Sequence, residues 1–300
     1  LVFAGVSLAC CAAPSLNHPP TRARFFEIEG HRGARSARPE NSLSAFRYAL
    51  AEGADTLEMD LHSTRDGVLV VTHDPKIDPE LCRDALGNRP RPGILVYSLT
   101  LAELQSYDCG SIQNSKFPYQ VVQPGERIPT YESVLAWLAS DPSPRAKKIR
   151  LNVETKSEER HPEYTPPPRE FTAAILAMTK KYGLFSRMIL ESFDYRTLRI
   201  AREIDPSTVL SVLTRDRPRT TYAELGSELH AQIISPDYRW LTGVDVESLH
   251  VLGMKVVPWT VDSEREWRRL ANIGVEGIIS DDPHALFEFR RLYFENSGVE

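Results

Sequence analysis

The chain has 300 residues, 41% of them hydrophobic and 26% charged, enough to bury a sizeable core as one large α/β domain or two small ones. Its 36 Lys and Arg against 41 Asp and Glu give a net charge of −5. No basic block is present to track a phosphate backbone, so nucleic acid is excluded as an expected partner.

Residues 1–23 open on "LVFAGVSLACCAAPS", an apolar run that ends in small residues, as the h-region and cleavage region of a secretory signal do. The run is shorter than the roughly 20 apolar residues that span a bilayer. With neither a Met nor a basic n-region ahead of it, it reads as a leader whose front is missing. The alternative is a buried apolar helix. Cys10 and Cys11 add a weak lipoprotein-type signal, because Leu8 stands three places before Cys11 but another Cys directly precedes it. The protein is therefore expected to be exported, to a periplasm or the extracellular space, with a lipid anchor or peripheral membrane association as an option.

From residue 24 onward, short β-rich runs alternate with helical patterns, which is the signature of βα units around a parallel sheet. Strands are expected at "RFFEIEG", "DTLEMDL", "KKIRLNVET", "MILES", "TVLSVLT", "AQIIS", "KVVPWTV" and "EGIISD". Helices are expected near 42–52, 130–139, 169–182, 194–203, 220–229, 244–252, 263–272 and 283–292. Eight such units over residues 24–300 fit a (β/α)8 TIM barrel, usually about 250 residues long. A doubly wound open sheet competes, but "GHRGARS" after the first strand is not a glycine-rich phosphate loop. "DGVLVVTHD" reads as a hairpin return from the second strand. Residues 75–128 then carry little patterning beyond a short helix at "LTLAELQSY", and read as an insertion on the catalytic face.

Several charged residues fall at strand ends, where a barrel builds its site. His31 ends the first strand, Glu58 and Asp60 the second, and Glu154 with Lys156 the third, while His73 closes the hairpin. Glu58 and Asp60 are two apart, so both project to one face. With Glu154 they offer three hard oxygen donors, suited to Mg²⁺ or Ca²⁺. Each carboxylate alone could be a solvated or capping group; convergence from consecutive strands favours a metal site. Arg32, Arg35, Arg38 and Lys156 could be an ordinary surface face, or could receive a phosphate beside that metal.

The ordered segments "HRGARSARPENSLSAF", "EMDLHSTRDGVLVVTHD", "NVETK", "PWTVD" and "GVEGIISDDP" resemble the motifs of the glycerophosphodiester phosphodiesterase family over residues 26–290. The resemblance implies a TIM barrel that uses one divalent cation, Ca²⁺ or Mg²⁺, to hydrolyse small glycerophosphodiesters to glycerol 3-phosphate and an alcohol. It implies His31 and His73 as the acid/base pair, and Glu58, Asp60 and Glu154 as metal ligands. Arg32 and Lys156 match phosphate-contacting positions, and Phe193 and Trp259 match apolar walls of the site, although plain core packing would explain both aromatics. Ser42 stands where the family has Thr and keeps a hydroxyl able to cap the helix, whereas Ser36, Ala37 and Arg38 replace a Gly-Tyr-Ala run. A membrane-acting phospholipase D-type enzyme, sphingomyelinase D-like, is the alternative on the same fold. A binding protein on a disabled barrel is a third reading, and it predicts a missing ligand or histidine. The loop "SEERHPEYTPPP" after the third strand is expected to shape headgroup access. Cys82 and Cys109, which flank 26 residues of the insertion, are expected to form a disulfide in an exported chain.

Overall fold

The computed structural model describes residues 25–295. The leader segment 1–23 and its Cys10 and Cys11 lie outside the described residues. Parallel strands β1 (Glu27–Gly30), β2 (Thr56–Ser63), β4 (Arg150–Thr155), β5 (Met188–Ser192), β6 (Val209–Thr214), β7 (Ile233–Pro236), β8 (Lys255–Val256) and β9 (Gly277–Ser280) lie in the order β8-β7-β6-β5-β4-β2-β1-β9. The short strand β3 (Leu69–Val71) returns antiparallel along β2, with His62 opposite Val70. Backbone bonds from Glu276 N–H to Val256 O (3.0 Å) and from Val261 N–H to Ile279 O (2.9 Å) link the two ends of the sheet, so the (β/α)8 barrel is nearly closed.

Helices alternate with these strands: α1 (Leu43–Ala51), α2 (Leu101–Leu104), α3 (Tyr131–Ser140), α4 (Pro144–Lys148), α5 (Pro168–Lys181), α6 (Tyr195–Ile204), α7 (Tyr222–Glu228), α8 (Gly243–Val251), α9 (Glu264–Ile273) and α10 (Pro283–Glu295). The main core is the shell between barrel and helices. Leu57, Met59, Leu61, Val153, Leu190 and Val212 point outward from the strands into it. By the two-residue alternation of a strand, the intervening residues line the barrel interior, and many of these are polar: Glu29, Glu58, Asp60, Asn152, Glu154, Glu191 and Ser211. An apolar plug of Ile189, Ile233, Val257 and Ile279 fills the rest.

Two expected strands are cut short by a local cap or a proline. The sequence of the third starts at 147, but α4 takes Lys147 and Lys148 because the Ser143 hydroxyl accepts the Ala146 N–H at 3.2 Å and Pro144 sits at the first helical position. In "KVVPWTV" only Lys255–Val256 is regular strand, since Pro258 has no N–H to donate.

Residues 75–128 build a satellite core of Ile77, Cys82, Val96, Leu104 and Ile128 against Val70 of β3. The Cys82–Cys109 disulfide crosses it. The segment latches onto the loop between β1 and α1: Gln120 Nε2–H donates to Arg35 O (2.6 Å) and Arg38 O (3.0 Å), and Val121 N–H donates to Ala37 O (3.0 Å).

Because the cross-link joins residues 27 apart, the loop-entropy model assigns it about 3 to 4 kcal/mol. Replacing both cysteines with serine should therefore lower the melting temperature and expose residues 75–128 to limited proteolysis before the barrel is cut. Unchanged melting and cleavage patterns would show that the satellite core holds without the bond.

Candidate active site

The loop after β1 is wound tightly around the ends of β2. Arg32 and Asn41 both adopt left-handed backbone, with φ of 50° and 54°, and Asn41 N–H donates to Arg32 O at 2.9 Å. Gly33 lies between them at φ 85°; a Cβ there would meet Ala45 backbone at 2.8 Å, so only glycine lets α1 approach. This geometry turns the Arg32 N–H onto Glu58 Oε2 at 2.6 Å and the Asn41 amide onto Asp60 Oδ2 at 2.8 Å.

Glu58, Asp60 and Glu154 are 2%, 1% and 8% exposed, and each offers an oxygen within 4.8 Å of the other two. Burial, then the charges of Asp60 and Glu154, raise the Glu58 carboxyl well above its usual range. Burial raises Glu154 to about 7 despite Lys156. Burial acts upward on Asp60 too, but Lys156, His73 and Arg32 outweigh it and hold this carboxyl well below its usual range. Lys156 Nζ donates to Glu154 Oε1 at 2.9 Å and stands 3.4 Å from Asp60 Oδ1, which is buried and accepts no hydrogen bond. An orphaned carboxylate oxygen in a ring of hard donors fits a divalent cation.

The histidines are held from different directions. His31 Nδ1 bonds Asp281 Oδ1 at 2.6 Å, across the seam where β9 meets β1. His73 Nδ1 bonds Asp74 Oδ1 at 2.7 Å, and His62 Nε2–H donates to the His73 carbonyl at 3.2 Å. Burial lowers His62 to about 4, so it is a neutral strut. Both His31 and His73 line a cavity of about 310 Å³ with Arg32, Glu58, Glu154, Lys156, Phe193 and Trp259. That volume lies at the small end of ligand pockets. Phe193 and Trp259 meet edge to face with centroids 5.4 Å apart, and Trp259 Nε1–H donates to Ser235 O at 2.8 Å.

Arg32 is engaged by Glu40 (2.6 Å) and Asp60 (3.3 Å), and Arg35 by Asp281 (2.7 Å). Arg38 lies 4.7 Å over the Tyr48 ring. Four further residues shape the site without having been singled out from sequence: Glu40, Asn41, His62 and Asp281. Asp281 had a readable signal, since it directly follows the last strand, in the same position as the other strand-end residues. His62 did not, because its bond depends on the hairpin register.

A barrel mouth of buried carboxylates, two carboxylate-linked histidines and flanking cations places the protein among the TIM-barrel hydrolases. Residues 31–285 match the model of the glycerophosphoryl diester phosphodiesterase family. A glycerophosphodiester phosphodiesterase of Caldanaerobacter subterraneus subsp. tengcongensis is 31% identical over 272 residues, covering 88% of this chain and 97% of that protein. The crystal structure of a provisionally assigned glycerophosphoryl diester phosphodiesterase from Silicibacter pomeroyi superposes with a TM-score of 0.83 at 29% identity, covering 92% of this chain and 95% of its own. An Oleispira antarctica phosphodiesterase, solved with its product sn-glycerol-3-phosphate, superposes with a TM-score of 0.70 at 23% identity, over 88% of this chain and 96% of that one. The chain belongs to the glycerophosphoryl diester phosphodiesterase family. It is accordingly a phosphoric diester hydrolase.

Burial lowers the His31 pKa, and the Asp281 carboxylate opposes that shift. His31 should therefore titrate below 6.5 by NMR and be neutral at pH 7, and Asp281→Asn should lower its pKa further. A His31 pKa above 6.5 would show that Asp281 dominates instead.

Proposed function

We propose that the protein hydrolyses small glycerophosphodiesters to sn-glycerol 3-phosphate and an alcohol, with His31 and His73 transferring the protons. The observation that carries this reading is the shared cavity, which sets two histidines, each tied to its own carboxylate, beside the Glu58, Asp60 and Glu154 ring. The product named for the Oleispira relative agrees with it. The family match favours it over the phospholipase D-type alternative.

With Asp281 accepting from Nδ1–H, the His31 ring presents its Nε2 lone pair, so a neutral His31 can take the nucleophile's proton. His73, bonded to Asp74 through Nδ1, presents Nε2 to donate to the leaving alkoxide. Glu58, Asp60 and Glu154 would hold one divalent cation, Ca²⁺ or Mg²⁺. Such a cation supplies charge neutralisation for the phosphate and acidifies a hydroxyl. Arg32, near Asp60, and Lys156, near Asp60 and Glu154, would turn part of their hydrogen-bonding capacity to phosphate oxygens once those carboxylates face a cation. Phe193 and Trp259 wall the cavity and exclude water from one side. The disulfide supports export, since such bonds persist in oxidising compartments.

The decisive experiment is turnover of glycerophosphocholine, glycerophosphoglycerol and an intact phospholipid by the mature protein, with and without EDTA. Hydrolysis of the deacylated esters alone, releasing sn-glycerol 3-phosphate and abolished by EDTA, is expected. Preferential choline release from the intact lipid would overturn the reading.

Two sets of variants separate the roles. His31→Ala and His73→Ala should each lose about 10² to 10⁴ in kcat with folding intact, the usual worth of a general acid or base. Glu154→Gln should instead weaken cation affinity, with activity partly recovered at high cation concentration. Near-full turnover in both histidine variants would exclude the proton-transfer assignment.

A further inference from the structure

One cation at the mouth is used by none of this chemistry. Arg215 directly follows β6 and lines both the catalytic cavity and the adjoining groove, whose walls include Ser157, Glu158, Arg160, Asp194 and Arg196. Its guanidinium carbon stands 4.7 Å above the centroid of the Phe193 ring. Three other arginines nearby are neutralised: Arg196 by Asp194 (2.7 Å), Arg199 by Glu228 (2.7 Å) and Arg217 by Asp245 (2.5 Å). Among the described residues, Arg215 enters no ion pair or side-chain hydrogen bond, and its guanidinium meets the Phe193 ring instead. Arg160 is likewise exposed, but it lines the groove alone and does not reach the cavity.

Three consequences follow for whatever occupies that junction. Stacking on Phe193 fixes the guanidinium without consuming its five N–H donors, which remain available to a planar or tetrahedral anion. A positive charge without an ion-pair partner at the junction of cavity and groove attracts an anionic substituent placed there. One face of Phe193 is already covered by a cation, which leaves less of the ring for cation–π contact with a quaternary ammonium.

We propose that Arg215 selects glycerophosphodiesters whose alcohol carries its own anionic group, a phosphomonoester or a carboxylate, and disfavours those with a cationic headgroup. This rests on the glycerophosphodiester reading of the site and adds the substrate class to it. The glycerol phosphate portion lies in the cavity, and the charged end of the alcohol reaches into the groove past Phe193.

The test compares kcat/KM for glycerophosphoglycerol phosphate, glycerophosphoglycerate, neutral glycerophosphoglycerol and glycerophosphocholine, in the wild-type protein and in Arg215→Gln and Arg215→Lys. The two anionic esters separate phosphate from carboxylate as the recognised group. The wild-type protein should favour at least one of them over the choline ester by about tenfold or more, the worth of one charged hydrogen bond. Arg215→Gln should collapse that ratio toward one, mainly through KM, and Arg215→Lys should restore part of it. Added salt should erode the preference, because the interaction is exposed. A choline ester turned over as well as the anionic ones, or a ratio unchanged in folded Arg215→Gln, would overturn the proposal while leaving the enzyme's activity established. Failure to hydrolyse any of the four esters would overturn the glycerophosphodiester reading, and this proposal with it.

Discussion

Three carboxylates buried within 4.8 Å of one another are the constraint around which the molecule is organised. Two unit charges at that separation repel by about 3 kcal/mol at an effective dielectric near 20. The protein meets this repulsion in two ways. The Glu58 and Glu154 carboxyls are shifted upward, toward the neutral form, and positive groups are turned onto Asp60, whose pKa is depressed. Those groups fix the local backbone. The left-handed turns at Arg32 and Asn41 and the glycine between them exist where a backbone N–H and a side-chain amide must face the ends of β2. A divalent cation in the ring would relieve the same repulsion more completely, displacing protons as it bound.

The same logic continues one layer further into the barrel. Asn152, two residues before Glu154 on the same strand, donates to Glu29 at 2.9 Å, and Ser211 donates to Glu191 at 2.9 Å. Burial is the main cause that raises Glu29 to about 8 and Glu191 to about 7. A neutral acid costs far less to bury than a charged one. The interior can therefore be polar because the apolar core lies outside the strands, between barrel and helices. Charge on the catalytic face and cohesion of the fold thus reside on opposite faces of the same strands, and a change on one face need not disturb packing on the other.

This division explains what could be read from the sequence. Two-residue alternation exposed the strands and put Glu58 and Asp60 on one side, and the strand-end rule gathered His31, Glu154 and Lys156. Ordered motifs then supplied the family. Partners separated by long stretches of chain were not legible. His31 and Asp281 are 250 residues apart and meet because the barrel closes, and Phe193 finds Trp259 because their strand ends share one mouth. Strand ends also blurred where a local cap or a proline overrode the apolar run, as at Ser143 and Pro258.

The two histidines differ in what supports them. His31 is fixed by barrel closure through Asp281, so its position is as rigid as the seam between β1 and β9. His73 leaves the β2–β3 hairpin at the point where residues 75–128 begin, and is steadied by His62 from below and Asp74 beside it. Those residues are themselves cross-linked by Cys82–Cys109 and latched through Gln120 onto the very loop that carries His31 and Arg32. These contacts form a closed circuit: barrel seam, β1–α1 loop, satellite core, hairpin. The disulfide lies on that circuit, so the loop that carries His31 and the hairpin end that carries His73 are joined through the satellite core as well as through the barrel.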